Sequence, residues 1–393
     1  MKTMTQSATA PDFVQNPYTF YDSARAAGPL VMWDDYAMPA AMSHDLVSTL
    51  FKNRKFGREV PPEMAPAIPE HVKDFYAVEA HSMLELEPPR HTRLRSLVLR
   101  AFTSRSIAAL EEGIAALCHQ LIDRFPTGEF DLLPAYCTEV PVITIARLLG
   151  VPDDMAPQFL NWSNDMVKMY TAGRTHADEV AANTAARDFT AYLTDYINER
   201  RKTPSDDLIS RLIAAEEEGE KLSTEELITT CVLLLNAGHE ATVHTMGNGI
   251  KALLETGLRP EWMTQEGIDQ TVEEILRFDP PLHMFTRYAY EDIEVAGHTF
   301  KRGDQIALML GAANRDPAGW DNPNTFDPTR PIKTNTAFGG GLHFCVGAPL
   351  ARLELKIALP ILFERCPDLA LADKPQYANA YHFHGLEQLM VTT

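Results

Sequence analysis

The sequence predicts one mostly helical domain with a smaller region of short β-strands. Residues 107–217 follow a helical period, interrupted only at glycine and proline, and a longer helical pattern covers residues 223–256. Between residues 293 and 308 the pattern changes to short alternating segments with glycine turns, which is typical of antiparallel strands. No internal repeat or low-complexity linker marks a boundary. We therefore predict a single domain over residues 1–393, with residues 1–15 as a flexible N-terminus.

The charge balance and the absence of long apolar runs exclude several classes of protein. The chain has a formal net charge of −19, which disfavours nucleic acid and anionic membranes as partners. Its first residues lack the apolar segment of a secretory signal, and no run approaches the roughly 20 apolar residues of a membrane span. We expect a cytoplasmic monomer that has neither a membrane nor a nucleic-acid partner.

The five cysteines are scattered along the chain and include no CxxC pair. An odd number of widely spaced cysteines argues against both a disulfide framework and a structural zinc site.

The first eighty residues are mixed in character. A helix is predicted at 18–27, strands at 30–33 and 37–42, and a loop at 61–69 that contains four prolines. A long loop in a compact enzyme often borders a ligand site. It could equally be a surface excursion.

A basic helix follows the segment that begins at Glu87. His91 and Arg95 are four residues apart and share one face, and both are good partners for carboxylates. The segment from Arg90 to Arg105 holds five arginines and no acid. We expect this basic segment to bind an anionic cofactor or an acidic protein partner.

The longest helix has clear signals at both ends. Ser223 and Glu226 form a capping box, and Gly257 ends the pattern. Halfway along, Ala237 and Gly238 would thin the helix enough for a flat cofactor or dioxygen to lie against it.

The middle of this helix contains a false zinc motif. His239-Glu240 is followed by His244, five residues after the first histidine instead of four. At about 100° per residue the two rings point roughly 140° apart, so they cannot share one metal ion in regular geometry.

A glycine-rich turn, FGGGLHFCVGAPLAR, runs from Phe338 to Arg352 and delivers one cysteine to the start of a helix. Its three consecutive glycines allow close approach of the backbone to a flat ligand. Cys345 precedes Pro349, which is tolerated in a first helical turn, and the free amides of a helix start favour a thiolate. The turn therefore predicts a cysteine ligand for a soft metal.

This pattern of phenylalanine, glycines, His343 and Cys345 resembles the haem-thiolate signature of the cytochrome P-450 family, and similar segments occur in the family's order over nearly the whole chain. The resemblance implies the cytochrome P-450 fold, mainly α with a smaller β region, with haem b between two helices. It implies Cys345 as the iron ligand and His91, Arg95, Arg287 and His343 as contacts of the haem propionates.

The resemblance also assigns roles to the long helix. Glu240 takes the place of the family's proton-relaying acid, but Ala241 stands where the family usually has threonine, and Thr242 lies one residue later, about 100° away. An ordered water, a hydroxyl of the substrate or Thr242 could complete the relay.

A further family segment is a Glu-x-x-Arg helix that braces the polypeptide before the cysteine turn. Glu274 and Arg277 match it, and Arg330 is our candidate for the third member of this group.

We predict a haem-thiolate monooxygenase that uses O2 as co-substrate and receives electrons from an external ferredoxin and reductase. A thiolate ligand favours O–O cleavage over reversible oxygen binding. Three alternatives stay open: a peroxide-driven haem peroxygenase, which Ala241 would suit, a non-catalytic haem sensor or carrier, and a cofactor-free helical binding protein. A cofactor-free helical binding protein would purify colourless. A basic surface for the ferredoxin would comprise Arg93, Arg100, Arg105, Arg352 and Lys356.

The substrate is expected to be a small or medium apolar molecule that is modified by hydroxylation or O-dealkylation. Our guess for its structure is an aromatic or terpenoid ring system. His283 and His384 could orient a polar group. Candidate pocket residues, several of which could be ordinary core, are Leu234, Leu235, Ala237, Gly238, Ala241, Leu282, Met284, Phe285 and Phe383.

Overall fold

The structure is a computed structural model that describes residues 1–171, 173–217, 220–381 and 383–393. Within these ranges the helices are α1 (Pro11–Gln15), α2 (Tyr18–Ala27), α3 (His44–Lys52), α4 (Lys73–Glu79), α5 (Arg90–Ala101), α6 (Ser104–Ala108), α7 (Glu111–Ile122), α8 (Glu139–Leu149), α9 (Ala156–Val167), α10 (His176–Lys202), α11 (Leu208–Ala214), α12 (Thr224–Thr256), α13 (Ile268–Phe278), α14 (Leu310–Asn314) and α15 (Ala348–Arg365). The strands are β1 (Lys2–Met4), β2 (Leu30–Trp33), β3 (Met38–Ala41), β4 (Phe56–Gly57), β5 (Phe130–Asp131), β6 (Glu216–Glu217), β7 (Glu220–Lys221), β8 (Met284–Ala289), β9 (Ile293–Val295), β10 (His298–Phe300), β11 (Gln305–Met309), β12 (Ala370–Leu371) and β13 (Met390–Thr392). The prediction of a mostly helical fold with a smaller β region is confirmed.

The largest sheet has six strands in the order β1-β2-β3-β11-β8-β4. Strands β8 and β11 pair antiparallel, with Arg287 opposite Ile306, and β3 runs parallel to β11. Strands β9 and β10 form a separate hairpin, and β12, β13 and β5 form a small three-stranded sheet. The six-stranded sheet brings residues from the start and from the last third of the chain together.

The first fifteen residues, which we expect to be flexible, contact the rest of the molecule at several points. Strand β1 pairs parallel with β2, and the Trp33 indole donates a hydrogen bond to the Gln6 carbonyl at 2.7 Å. Phe13 is 3% exposed and packs edge-on against Trp33. No local sequence pattern predicts these contacts, because each of them joins residues that are distant along the chain.

Helix α12 is the central element. It begins at the Ser223–Glu226 capping box and ends at Gly257, which has a φ of +85°, as the sequence predicts. Two large apolar clusters meet along it. One contains side chains of α7, α13 and α15, and the other contains side chains of α4, α8, α9 and α10. None of the described helices is long and apolar enough to cross a membrane.

Candidate active site

The cysteine turn is held in shape by two glycines with left-handed backbone angles. Gly339 and Gly341 have φ values of +68° and +65°, and a Cβ on Gly341 would lie 2.0 Å from the Phe51 carbonyl oxygen. The Cys345 amide donates to the Phe338 carbonyl at 3.1 Å and closes the turn. Only glycine satisfies both the backbone angle and the close approach at position 341.

The thiol of Cys345 is half-buried just before α15. Burial raises its pKa, while hydrogen bonds from the Gly347 and Ala348 amides and the charges of Arg95 and Arg352 act in the opposite direction. The thiol is therefore protonated when it has no ligand. A bound metal ion would replace the proton. Within the described chain the other four cysteines are buried, and burial raises the pKa of each thiol.

Basic side chains gather beside this turn. The His91 and His343 rings lie 4.4 Å apart, and the Arg95 guanidinium donates to the Phe344 carbonyl at 2.7 Å. Burial, His343 and Arg95 together lower the pKa of His91 to about 4. Nδ1 of His91 is buried without a hydrogen-bond partner among the described residues. The structure thus brings together residues that are about 250 positions apart.

Arg287 is 3% exposed on strand β8. Its guanidinium donates to the Thr286 carbonyl at 2.8 Å, and no ion pair joins it to a carboxylate of the described residues. Burial and then the nearby Arg58 lower its pKa to about 10. The charges of Glu87 and Glu85 act in the opposite direction, but neither carboxylate forms an ion pair with Arg287. A buried cation without an ion-pair partner is costly, so this position is suited to a bound anion.

Two residues of this region were missed as functional candidates. Arg58 lies 5.8 Å from the Phe285 ring centroid, and pairing of β4 with β8 brings it near Arg287. Glu87 accepts a hydrogen bond from His343 at 2.9 Å. Burial would raise the pKa of Glu87, but the bonds from His343 and the Arg58 amide hold it below its usual value. A single arginine after a glycine carries no sequence signal of its own.

The arrangement fits a flat cofactor with two carboxylates. Three basic side chains, His91, Arg95 and Arg287, lack a carboxylate partner within the described chain, and one buried nitrogen lacks any hydrogen bond. Cys345 offers a soft sulfur ligand next to them. The propionates of haem b supply two negative charges, and its iron accepts the thiolate, so the residues present fit haem b.

The middle of α12 carries two small side chains that are not buried. Ala237 is exposed and Ala241, one turn later, is half-buried, although most of the helix around them is buried. Gly238 does not face the same way: a Cβ there would lie 3.1 Å from Ile145 of α8. The glycine therefore allows close packing of α8 on α12, and the two alanines form the thinned face that we predicted for Gly238.

Glu240 is paired with His244 one turn further along, with His244 Nε2 3.4 Å from Glu240 Oε1. Thr242 is buried, and its hydroxyl donates to the Gly238 carbonyl of its own helix at 3.4 Å. In the sequence, His244 is recognised only as a member of the false zinc motif. Its spacing of four residues from Glu240 is the signal for this pair. The side chain of His239 lies outside the described residues.

The candidate pocket residues do not share one surface. Leu234 and Leu235 belong to the buried cluster around α4 and α10, and Met284 packs against the N-terminal aromatic cluster. Phe285 lies against Gly339, 3.3 Å from the position of a Cβ there, so it lies beside the cysteine turn. The Phe383 ring is 6.0 Å from His244, and Leu282 is half-buried.

His283 and His384 do not orient a substrate group, because both are buried in a polar cluster around Asp279. The nearest nitrogens of the two rings lie 3.9 and 3.5 Å from Asp279 Oδ1. Tyr18 donates to the same carboxylate at 2.6 Å, and Tyr377 to its other oxygen at 2.5 Å. With both carboxylate oxygens hydrogen-bonded, this cluster is a structural network.

Glu274 and Arg277 form a buried bidentate pair, with both N···O distances 2.7 Å. Arg330 approaches Glu274 at 3.3 Å, and the Asp327 amide donates to it at 2.7 Å. Arg277 also donates to the Asn314 carbonyl at 3.0 Å. The group therefore joins α13 to the polypeptide between α14 and the cysteine turn.

Three features define a haem-binding protein of the thiolate-ligated class: a helical fold, a cysteine at a glycine turn, and a group of basic side chains of which His91, Arg95 and Arg287 have no ion-pair partner among the described residues. Comparison with known proteins specifies this class further. The family model described as Cytochrome P450 matches residues 16–261 and 266–374. The chain is 37% identical to the polyketide biosynthesis cytochrome P450 PksS of Bacillus subtilis, over 97% of this chain and 96% of that protein.

It is 33% identical to the biotin biosynthesis cytochrome P450 of Bacillus subtilis, over 99% of both chains. The crystal structure of P450BioI in complex with an acyl carrier protein superposes with a TM-score of 0.90, at 33% identity over 97% of this chain and 99% of that one. The chain belongs to the cytochrome P450 family. It is an oxidoreductase that uses haem b as cofactor and O2 as co-substrate.

Proposed function

We propose that this protein is a monooxygenase that inserts one oxygen atom from O2 into a small or medium apolar organic molecule, by hydroxylation or O-dealkylation. Family membership supports the reaction class. The observation that carries the proposal is the placement of Cys345 beside basic side chains that have no counter-ion in the described chain. When bound, haem with a thiolate ligand would supply the chemistry that cleaves the O–O bond of dioxygen.

In this proposal Cys345 holds the iron, and His91, Arg95, Arg287 and His343 hold the propionates. The support is electrostatic. Arg287 is buried and forms no ion pair with an acid of the described residues. In the same part of the chain, Nδ1 of His91 is buried without a hydrogen-bond partner. Two propionates would compensate the cations and accept the free hydrogen-bond donors. His343 would contact the cofactor while its Nε2 stays hydrogen-bonded to Glu87.

For the delivery of protons we propose Glu240 together with His244. The pair is half-buried, and its 3.4 Å separation allows a proton to move between Nε2 and Oε1 after a small adjustment of the side chains. Thr242 is the less suitable relay because its hydroxyl is directed to the Gly238 carbonyl. Ala241 leaves room for a water molecule or for a hydroxyl group of the substrate.

The substrate would lie against the apolar face formed by Ala237 and Ala241, with Phe383 nearby. With His283 and His384 bound in the Asp279 network, this face offers few polar anchors. We therefore propose a substrate that is held mainly by apolar contacts. The relatives named for biotin and polyketide biosynthesis justify including free and carrier-linked acyl chains beside aromatic and terpenoid compounds in a binding screen.

We propose an acidic ferredoxin as the electron donor, docked where the cysteine turn meets α5. Arg100 and Arg105 are exposed there, and the Phe344 ring beside Cys345 is 40% exposed. Three other members of the expected basic surface have acidic partners within the chain: Arg93 with Glu226, Arg352 with Glu273 and Lys356 with Asp269. These partners reduce the positive charge that the three side chains offer to a ferredoxin.

Charge reversal tests this dock. Arg100→Glu should slow electron delivery and flatten its dependence on salt concentration, because steering between opposite charges is screened by salt. Lys374→Glu, at an exposed lysine outside this surface, is the control and should leave both quantities unchanged. Equal rates for Arg100→Glu and the native protein would remove the docking model.

The proposed function is tested first by spectroscopy. Purified protein, reduced and exposed to carbon monoxide, should show a strongly red-shifted Soret band, and Cys345→Ser should lose it. A band typical of histidine-ligated haem in the native protein would overturn the assignment of Cys345.

A peroxygenase is the second candidate, since position 241 lacks the usual hydroxyl. Turnover with hydrogen peroxide that equals or exceeds turnover with ferredoxin, its reductase and O2 would favour it. No turnover with either oxidant across the substrate screen would favour a haem sensor.

A further inference from the structure

We propose a second metal site, on the surface and independent of the haem pocket, that binds a divalent transition-metal ion such as Zn²⁺ between His71, His176 and Glu179. One ligand atom of each residue lies within 4.8 Å of the others, and the three residues come from two separate elements. His71 belongs to the 3-10 turn Glu70–Val72 before α4, whereas His176 and Glu179 lie in the first turn of α10. Neither element is part of the cysteine turn or of α12.

The ligand chemistry suits zinc. Two imidazoles and one carboxylate, completed by water, form the open type of tetrahedral zinc site. Ligand atoms in such a site are about 3.3 Å apart, given metal–ligand distances of about 2.0–2.1 Å. Glu179 Oε2 lies 2.7 Å from His71 Nε2 and 3.9 Å from His176 Nδ1. Small side-chain movements in opposite directions would bring both distances to the tetrahedral value.

The carboxylate is already oriented for this purpose. Arg174 Nε is 3.1 Å from Glu179 Oε1, and Arg174 also donates to the Met169 carbonyl at 3.2 Å. This contact holds one oxygen of Glu179 and directs the other towards the two histidines. Metal-binding carboxylates are commonly held in this way by an outer hydrogen bond. Arg174 lowers the local negative charge, but it does not occupy Oε2.

A hydrogen-bonded connection next to the site fixes the two elements relative to each other. The Asn183 side chain accepts from the Asp74 and Phe75 amides at 2.7 and 3.1 Å, and it donates to the Asp74 carboxylate at 3.0 Å. Asn183 is one helical turn after Glu179, and Asp74 is three residues after His71. The positions of two of the three ligands are therefore set before any ion binds, which reduces the entropy lost on binding.

The site is open to ions from solution. The side chains of His71 and Glu179 are 33% and 24% exposed, while that of His176 is 72% exposed. His176 can therefore move to complete the coordination. Its ring already lies 4.5 Å from that of His71.

A bound ion would tie the segment before α4 to the start of α10. The Val78 carbonyl of α4 accepts a hydrogen bond from Thr229 of α12 at 3.1 Å, and Val72 and Phe75 pack in the same cluster as Leu234. The ion would thus stiffen a layer that packs on α12 just before Ala237. We expect slower opening of this layer when the ion is bound.

The test uses the haem-loaded full-length protein without an affinity tag, so that neither Cys345 nor added histidines bind the ion. Isothermal titration with Zn²⁺ should show one ion per chain, and Mg²⁺, which prefers oxygen ligands, should give no binding. His176→Ala and Glu179→Gln should each weaken the Kd for Zn²⁺ about tenfold or more, comparable with other losses at metal sites. His119→Ala, at an exposed histidine of α7, is the matched control and should bind as the native protein does.

Amide hydrogen exchange gives a second readout. Zn²⁺ should slow exchange in residues 70–76 of the native protein and have no effect there in His176→Ala. Equal Zn²⁺ affinity in the native protein and His176→Ala would overturn the site, as would the absence of binding to the native protein. Because His176 is exposed, the variant should melt at the native temperature without metal, which separates loss of the ligand from loss of the fold.

Discussion

At the scale of single residues, the site contains a local pair whose importance the family resemblance alone would not indicate. Glu240 and His244 share one face of α12, and the hydroxyl of Thr242 is bonded to the Gly238 carbonyl. The acid is present at the expected position and the alcohol is not. In the proton delivery that we propose, His244, one turn away, would act together with Glu240.

Restoring the missing alcohol should change how the enzyme uses its electrons. We expect Ala241→Thr to raise the ratio of product to hydrogen peroxide, because a hydroxyl there adds a fixed hydrogen-bond donor beside Glu240. Glu240→Gln should lower product formation by about 100-fold, the lower range for loss of an acid–base group. Ala237→Thr adds a hydroxyl to the same proposed substrate face one turn away, and it separates an effect specific to position 241 from a change in substrate contact. An unchanged ratio in Ala241→Thr would show that water or the substrate already supplies the hydrogen bond.

A buried carboxyl outside the site should limit stability at neutral pH. Glu354 of α15 is fully buried, neither oxygen has a hydrogen-bond partner among the described residues, and burial raises its pKa well above the usual value. In the unfolded chain the pKa of this glutamate is about 4.3. Above that pH, folding requires Glu354 to take up a proton, and the free energy of unfolding falls by about 1.4 kcal/mol for each pH unit up to the pKa in the folded protein.

We expect Glu354→Gln to be more stable than the native protein at pH 7, with a difference that shrinks as the pH falls towards the unfolded pKa. Urea unfolding at several pH values measures this. Glu364→Gln, at an exposed position of the same helix, should show no such trend. A difference independent of pH would mean that Glu354 has a partner for its charge.

At the scale of elements, the ends of helices were predictable and the contacts of the site were not. The Ser223–Glu226 capping box and Gly257 are local signals, and α12 begins and ends at them. Arg58, by contrast, approaches Arg287 only because β4 pairs with β8 across more than 200 residues. No local pattern contains that pairing. The same reason explains why Gly238 faces Ile145, because only tertiary packing selects which side of a helix meets its neighbour.

The cysteine turn should be intolerant of a methyl group at one glycine. In Gly341→Ala the left-handed φ costs about 1–2 kcal/mol, and the contact with the Phe51 carbonyl adds to it. Gly257→Ala is a matched control, since Gly257 also has a positive φ but no atom of the described chain within 4 Å of a Cβ. We expect Gly341→Ala to lose haem, measured as the Soret-to-protein absorbance ratio, and Gly257→Ala to keep it. Equal haem contents would show that the turn can shift.

The buried ion pair within α13, which braces the segment before the turn, should be far more sensitive to substitution than the less buried pair beside it. Glu274→Gln leaves Arg277 buried without a counter-charge and should cost about 3–5 kcal/mol of unfolding free energy. Glu273→Gln breaks the more exposed pair with Arg352 and should cost about 0–1 kcal/mol. Chemical denaturation of the native protein, Glu274→Gln, Arg277→Met and the double variant would separate the interaction energy of the pair from the cost of a buried charge. A small effect of Glu274→Gln would mean that water compensates Arg277.

At the scale of the whole molecule, the Asp279 network joins distant parts of the chain. Tyr18 of α2 and the C-terminal His384 meet at Asp279, and Asn248 of α12 donates to the His384 carbonyl at 2.9 Å. Single histidines carry no sequence signal for such a network. Their grouping depends on the fold as a whole, and for that reason the prediction of substrate contacts at His283 and His384 failed.

This network should make the protein sensitive to mild acid. Burial lowers the pKa of His384 to about 4. At this residue the unfolded chain therefore binds one more proton between about pH 6.5 and pH 4, so His384 alone should contribute a loss of stability of about 1.4 kcal/mol per pH unit as the pH drops through this window. His384→Phe, which keeps a ring to stack on Tyr377, should reduce this slope by about one proton. An identical slope in urea unfolding of both proteins would exclude His384 as its cause.

The burial of four of the five thiols has a practical consequence. An alkylating reagent added to the folded protein should reach only Cys345, and only in molecules where no iron occupies the sulfur. The mass added by the reagent would then count the cofactor-free fraction of a preparation chain by chain, without any optical measurement. The turnover rates of different preparations could then be corrected for their cofactor-free fractions before the rates are compared.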